Sequence, residues 1–146
     1  MLAEALAYLQ TQRTGVLAVE MPDSAPHAAT VHFAHANEPF VFYFETKRDS
    51  RKAESIAAQG SVRASLVIGT SEADMKTLQL DGILALIPPS EESIFDQVYL
   101  GKFPEKETKI QNESARDSEY LCLKFTPTWW RFTDWKTPDG KKIWTS

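Results

Sequence analysis

Four residues suited to holding a phosphate fall within one short run: Thr46, Ser50, Arg51 and Lys52. Hydroxyls donate and accept, Arg offers a planar fork of donors, and Lys a compact charge; together they can grip a dianionic phosphate. Lys47 and Arg48 add two further cations, against Asp49 as the lone anion. The same run also fits a solvated basic turn, because short charge clusters usually face water. The position of the cations leaves a site open beside that reading. Ser50 (or Asp49) reads as an N-cap and Glu54 falls near the third helical position, so the cations open a helix. That end of a helix is already positive, and each cation placed there costs a few tenths to about 1 kcal/mol. A bound anion would remove the conflict.

Other chemistry-bearing types are sparser. His32 and His35 could suggest a metal, but on one strand an odd spacing sends the rings to opposite faces, and chelation would need a bend. Cys122 is the only cysteine; it can form no internal disulfide, and it reads as a small buried apolar residue. No Gly-rich phosphate loop, Ser-His-Asp order or zinc-spaced cluster is present. Trp129, Trp130 and Trp135 hold three of the four tryptophans. Such density fits barrel-end packing, a stacking platform or an interface.

The elements that must position these groups follow from periodicity. Leu2, Ala5, Leu6 and Leu9 recur at helical spacing, predicting a helix over Met1–Gln12. Strands are predicted at 16–21 and at 27–35, the latter alternating Ala29, Val31 and Phe33 against Thr30, His32 and Ala34. Asn37-Glu38-Pro39 turns the chain into a third strand, Phe40–Glu45, which hands over through the basic turn to a helix from Arg51 that stops at Gly60. A fourth strand is expected at Val62–Ile68. A fifth, Thr77–Ile87, carries Asp81-Gly82, a bulge signal. Ser90 opens a helix with Ile94, Phe95, Val98 and Tyr99 as its apolar face. Residues 101–117 read as a polar loop with a short helix after Pro104. A sixth strand is expected at Glu119–Phe125. Pro127 is expected to interrupt it before a further extended segment, Trp129–Trp135, and Lys141–Trp144 extends again. Many short strands with few helices and no strict βαβ alternation predict a mainly β protein, an antiparallel barrel of six or more strands with flanking helices.

The chain has 146 residues, a length suited to one domain spanning 1–146, with an ordinary 42% hydrophobic and 25% charged content. Net charge is −4 and the isoelectric point near 5.4, which argues against a general nucleic-acid binder. No signal-peptide pattern and no membrane-length apolar run is seen, so a cytoplasmic location is expected.

The run FYFETKRDSRKAESIAA resembles the strand–turn–helix of the FMN-binding split barrels of the pyridoxamine-phosphate-oxidase-like family. The resemblance extends more loosely from about Leu6 to Trp144. It implies a split β-barrel homodimer with FMN in the groove between subunits. The flavin phosphate would be held by Thr46, Ser50, Arg51 and Lys52, beside Glu45. Thr30 and Val31 would line the ring pocket. Lys76, Thr77 and Leu78 match the strand that reaches the flavin from the partner subunit, and Trp130 or Trp135 would place an aromatic near the ring. The resemblance implies a flavin-dependent oxidoreductase acting on a small molecule, or a flavin-binding sensor without turnover. A relative that takes deazaflavin or haem is a further alternative. The Arg-x-His tail and the helical Tyr/Arg/Ser set with which the true oxidases grip pyridoxamine phosphate are both missing, so oxidation of that substrate is not expected.

Overall fold

The computed structural model describes residues 3–106 and 119–146. Helix α1 (Ala3–Thr11) leads into β1 (Thr14–Glu20), β2 (Pro26–His32), β3 (Ala34–Asn37) and β4 (Phe40–Lys47). Helix α2 (Arg51–Gln59) separates these from β5 (Ser61–Ile68) and β6 (Lys76–Leu86). Helix α3 (Glu92–Phe95) runs on into a wider turn at Asp96–Leu100, and β7 (Tyr120–Asp134) and β8 (Lys142–Thr145) follow. The strands form one antiparallel sheet in the order β2-β1-β5-β6-β7-β4-β3, with β8 paired to β7. The fold is mainly β, a split barrel with flanking helices.

Two apolar clusters hold it together. The main one fills the curl of the sheet, with Leu17, Phe42, Phe44, Leu66, Phe125 and Phe132 among its residues and α1 contributing Leu9. The second lies between β3–β4 and the α3 stretch: Val41, Tyr43, Phe95, Tyr99 and Phe103. β4 is therefore covered on both faces, which explains its unbroken apolar run Phe40-Val41-Phe42-Tyr43-Phe44. On the outer face the rings form a stack, Phe95 to Tyr99 and Tyr99 to Phe103 each 5.0 Å between centroids. That face differs from the sequence expectation. Ile94 is 45% exposed, because the wide turn after Phe95 aligns residues 95, 99 and 103 instead.

Two further expectations are corrected. The predicted strand 27–35 is two strands, broken at Phe33. There the chain turns the barrel corner, with Phe33 fully buried and its N–H donating to the Arg13 carbonyl at 3.1 Å. The predicted break at Pro127 is absent, and β7 runs through it as one fifteen-residue strand. Gly82 pairs with Pro127 and Asp81 with Trp129, so Thr128 is the extra residue of a bulge. A bulge tolerates a residue that lacks an N–H, and β4 has already stopped pairing with β7, at Phe125. Gly82 is needed there, since a Cβ would collide with the Thr126 carbonyl oxygen. The helix after Pro104 is a single turn, Pro104–Lys106; the remainder of the predicted loop lies outside the described residues.

Candidate functional site

The split in the barrel positions the site. β3 pairs with β4 only as far as Tyr43, and β2 pairs with β1. The Phe44–Lys47 half of β4 and the end of β2 therefore approach each other with no strand pairing between them among the described residues. A cleft of about 320 Å³ occupies this gap, at the lower end of the roughly 300–1,000 Å³ typical of ligand sites. Its walls bring together six of the residues singled out from sequence: Thr30, Val31, Glu45, Thr46, Ser50 and Lys52.

The corner where β4 meets α2 folds as local chemistry dictates. Ser50 is the N-cap, extended at φ −75° and ψ 155°, and its Oγ accepts from the Ala53 N–H at 3.2 Å. Thr46 Oγ1 lies 2.9 Å from the same oxygen, joining the last turn of the strand to the first turn of the helix. The N–H groups of Arg51 and Lys52 open the helix and have no carbonyl within it to bond. Lys52 is only 8% exposed, and burial holds its ammonium below the usual lysine range. Among the described residues it has no hydrogen-bond or ion-pair partner. Arg51 stands at the first helical position, exposed and outside the cleft lining. Lys47 is exposed on the rim.

Sequence reasoning missed part of the opposite rim. His32 and Lys106 also line the cleft. Lys106 Nζ donates to the Tyr99 hydroxyl at 2.8 Å and lies 3.3 Å from His32 Nδ1. Partial burial and the charges of Lys106 and Arg13 hold the His32 imidazole below its ordinary value, which favours its neutral form. Arg13 itself pairs with Glu105 at 2.7 Å. No local motif marks Lys106. It reaches the cleft because the Phe95–Tyr99–Phe103 stack delivers the turn that carries it.

The remaining predicted residues lie elsewhere in the protomer. Lys76 forms an ion pair with Asp134 at 3.7 Å and borders a groove beside α1. Thr77 Oγ1 donates to the Ile68 carbonyl at 3.2 Å, and the Leu78 side chain is in the main core. Trp130 is half-buried against that core. Trp135 is 40% exposed with Lys141 Nζ 5.6 Å from its ring centre. These residues neighbour the Asp134 end of β7, whereas Thr46 and Lys47 pair with its Tyr120 end. Roughly 40 Å of extended strand separates the two sets, and one protomer does not bring them together.

No group of three or more His, Cys, Asp or Glu side chains suited to a metal occurs among the described residues. Cys122 is half-buried, and burial together with nearby Glu45 and Asp96 pushes its thiol up to about 12, far from a reactive thiolate. No described helix is long and apolar enough to cross a membrane.

Comparison with known proteins gives the architecture a family. The family described as pyridoxamine 5'-phosphate oxidase matches residues 1–134. No curated protein matches the chain. Among solved structures, a pyridoxamine 5'-phosphate oxidase-related, FMN-binding protein from Nostoc punctiforme is similar over 98% of this chain and 88% of its own, at 16% identity and TM-score 0.67. A haem-binding protein from Mycobacterium smegmatis is similar over 98% of this chain, which spans 56% of that protein, at 13% identity and TM-score 0.73. The haem storage protein HutZ from Vibrio cholerae is similar over 86% and 89%, at 16% identity and TM-score 0.61. At these identities the structural likeness speaks for the fold.

Proposed function

The chain belongs to the pyridoxamine 5'-phosphate oxidase family, and on that premise we propose that it binds FMN, with the flavin phosphate at the β4–α2 corner. One observation carries the reading. Lys52, 8% exposed overall and with no hydrogen-bond or ion-pair partner among the described residues, lines the cleft beside the Thr46–Ser50 hydroxyl pair and the first amides of α2. A partly desolvated charge without a partner is costly, and a phosphate dianion is the complement that Lys52, the two hydroxyls and the helix dipole share. Arg51, one position away and exposed, is within reach of the same anion by side-chain rotation. The residues present fit the group.

The ring end would lie against β2, with Thr30 and Val31 on one wall and Glu45 on the other. A second protomer would complete the site with Lys76, Thr77, Leu78 and Trp130 or Trp135, which one chain holds far from the cleft. The assembly proposed is a homodimer. Bound FMN would supply reversible one- and two-electron chemistry, and the protein would bind, orient and shield it. The proposed activity is an FMN-dependent oxidation or reduction of a small molecule in the cytoplasm. Neither Cys122 nor neutral His32 is set up as a nucleophile, so this chain's own groups serve as binding and positioning elements.

A second reading rests on His32. It lines the same cleft as a neutral imidazole, the form that ligates iron, and two similar structures are described as haem proteins. The absorption spectrum of the purified protein separates the readings. The FMN reading predicts the two-band flavin spectrum, as isolated or after adding FMN, in a dimer by light scattering. A Soret band with no flavin uptake would overturn it in favour of haem, and a flavin-loaded monomer would overturn the shared groove.

A further inference from the structure

Lys106 reaches the cleft from outside the segment that builds the phosphate corner. It ends the single turn Pro104–Lys106, and it lines the same cleft as Thr46, Ser50 and Lys52. Three rings hold its ammonium. Nζ donates to the Tyr99 hydroxyl at 2.8 Å and lies 3.3 Å from His32 Nδ1. The ring centres of Phe103 and Tyr99 are 4.9 Å and 5.1 Å from Nζ, and both rings are fully buried. Burial pushes the Tyr99 hydroxyl above its ordinary value, and His32 is held below its own, so these partners are neutral and none cancels the positive charge. The adjacent Glu105 carboxylate is engaged by Arg13 at 2.7 Å.

The contact with His32 also fixes the imidazole. An ammonium can only donate, so Nδ1 accepts and the ring proton of the neutral form sits on Nε2. Iron ligation at Nε2 would first have to displace that proton. The cleft therefore has two donor ends. One is the Thr46–Ser50–Lys52 corner. The other is Lys106 with the His32 Nε2–H, next to Thr30 and Val31 on β2. FMN has two ends of matching chemistry. Its phosphate is a dianion. The pyrimidine edge of its ring carries carbonyl oxygens, and it holds a negative charge once the ring has taken up two electrons and one proton. The dimethylbenzene edge is apolar and would gain nothing from an ammonium.

We propose that Lys106 binds the pyrimidine edge of the flavin ring and favours its reduced form. The inference rests on the FMN reading and deepens it. It orients the ring, with the pyrimidine edge toward Lys106 and His32 and the phosphate toward α2, and it gives the chain a residue that tunes the flavin electronically.

The test uses the full-length protein with FMN and with riboflavin. Lys106→Met should weaken both flavins alike, each by about tenfold or more in fluorescence titration, because both carry the ring. The reduction potential of bound FMN, from dithionite titration against a reference dye, should fall by at least about 30 mV, which is a tenfold weaker hold on the reduced over the oxidised form of a two-electron couple. Lys106→Arg keeps the charge and should restore most of both. In ¹⁵N-histidine NMR of the unaltered protein, His32 should carry its proton on Nε2, and riboflavin should shift its signals. Flavin affinities and a potential left unchanged by Lys106→Met would overturn the inference while the phosphate reading stands. So would a His32 protonated on Nδ1, or one whose signals neither flavin moves. A protein that binds neither flavin overturns both readings. The histidine spectra decide the matter even if the Met variant fails to fold.

Discussion

Two buried lysines, Lys52 and Lys102, meet the same problem in different surroundings. Lys52 sits at the opening of α2, facing a cleft with a hydroxyl pair and helix amides around it. Lys102 borders a small cavity, over an aromatic ring and beside a neutral imidazole. Desolvation depresses both ammonium groups. Lys52 thus has co-donors arranged for several oxygens of one polyvalent anion, whereas the Lys102 ammonium is covered and rests on the Phe33 ring. A buried charge is by itself a weak sign of function. The neighbours that converge on it decide what it can hold.

The comparison can be broken most severely at the cleft. Arg51→Ala with Lys52→Ala removes two charge-assisted contacts of about 1.5–3 kcal/mol each, so FMN affinity should fall by at least about a hundredfold. Fluorescence titration measures this, and circular dichroism should show the fold retained. Next in size is Phe103→Ala. Its ring neighbours His32, with centroids 5.3 Å apart, and it lies 5.7 Å from Lys102 Nζ. Emptying this position should cost about 3–5 kcal/mol in urea unfolding. It should also let both His32 and His35 titrate nearer the ordinary histidine value, seen by NMR; movement of only one would show that the two regions are not linked through this ring.

A smaller effect separates the regions by pH. His35 is depressed from 6.5 to about 4, so between those values the unfolded chain binds the proton more readily than the folded one. Its contribution is fully present above about 6.5 and is lost as pH falls toward 4. The slope is at most about 1.4 kcal/mol per pH unit, reduced by solvent screening. His35→Phe should flatten unfolding free energy against pH in this window, and an unchanged slope would mean that other groups carry the acid sensitivity. Smallest is Thr46→Val, which removes the 2.9 Å contact to Ser50 Oγ and should cost about 1 kcal/mol of stability.

Much of the cleft was legible because its chemistry is local. Ser50 as N-cap, Lys52 two residues on and Thr46 four residues before all follow from one strand–turn–helix segment. The barrel too was readable, since each strand announces itself by alternation or by an apolar run, and Gly82 marked its bulge. The misreadings at Pro127 and Phe33 share one cause, the dependence on a distant partner. Pro127 breaks a strand by local rules, but it is tolerated because the bulge at Gly82 lies opposite. Phe33 continues an alternation, yet it turns a corner because the Arg13 carbonyl takes its N–H. Lys106 and Lys102 carry no motif, and only the packing of Phe95, Tyr99 and Phe103 brings the chain that bears them to β2 and β3. The second half of the proposed flavin site is likewise silent in one chain, because Lys76 and Trp135 lie at the far end of β7.

Riboflavin differs from FMN only in lacking the phosphate, so the ratio of their dissociation constants measures the β4–α2 corner directly. The account predicts that the protein binds FMN at least about a hundredfold more tightly than riboflavin, and that Arg51→Ala with Lys52→Ala brings the ratio close to one by weakening FMN alone. Equal affinity for the two flavins in the unaltered protein, or a ratio untouched by the double substitution, would contradict it.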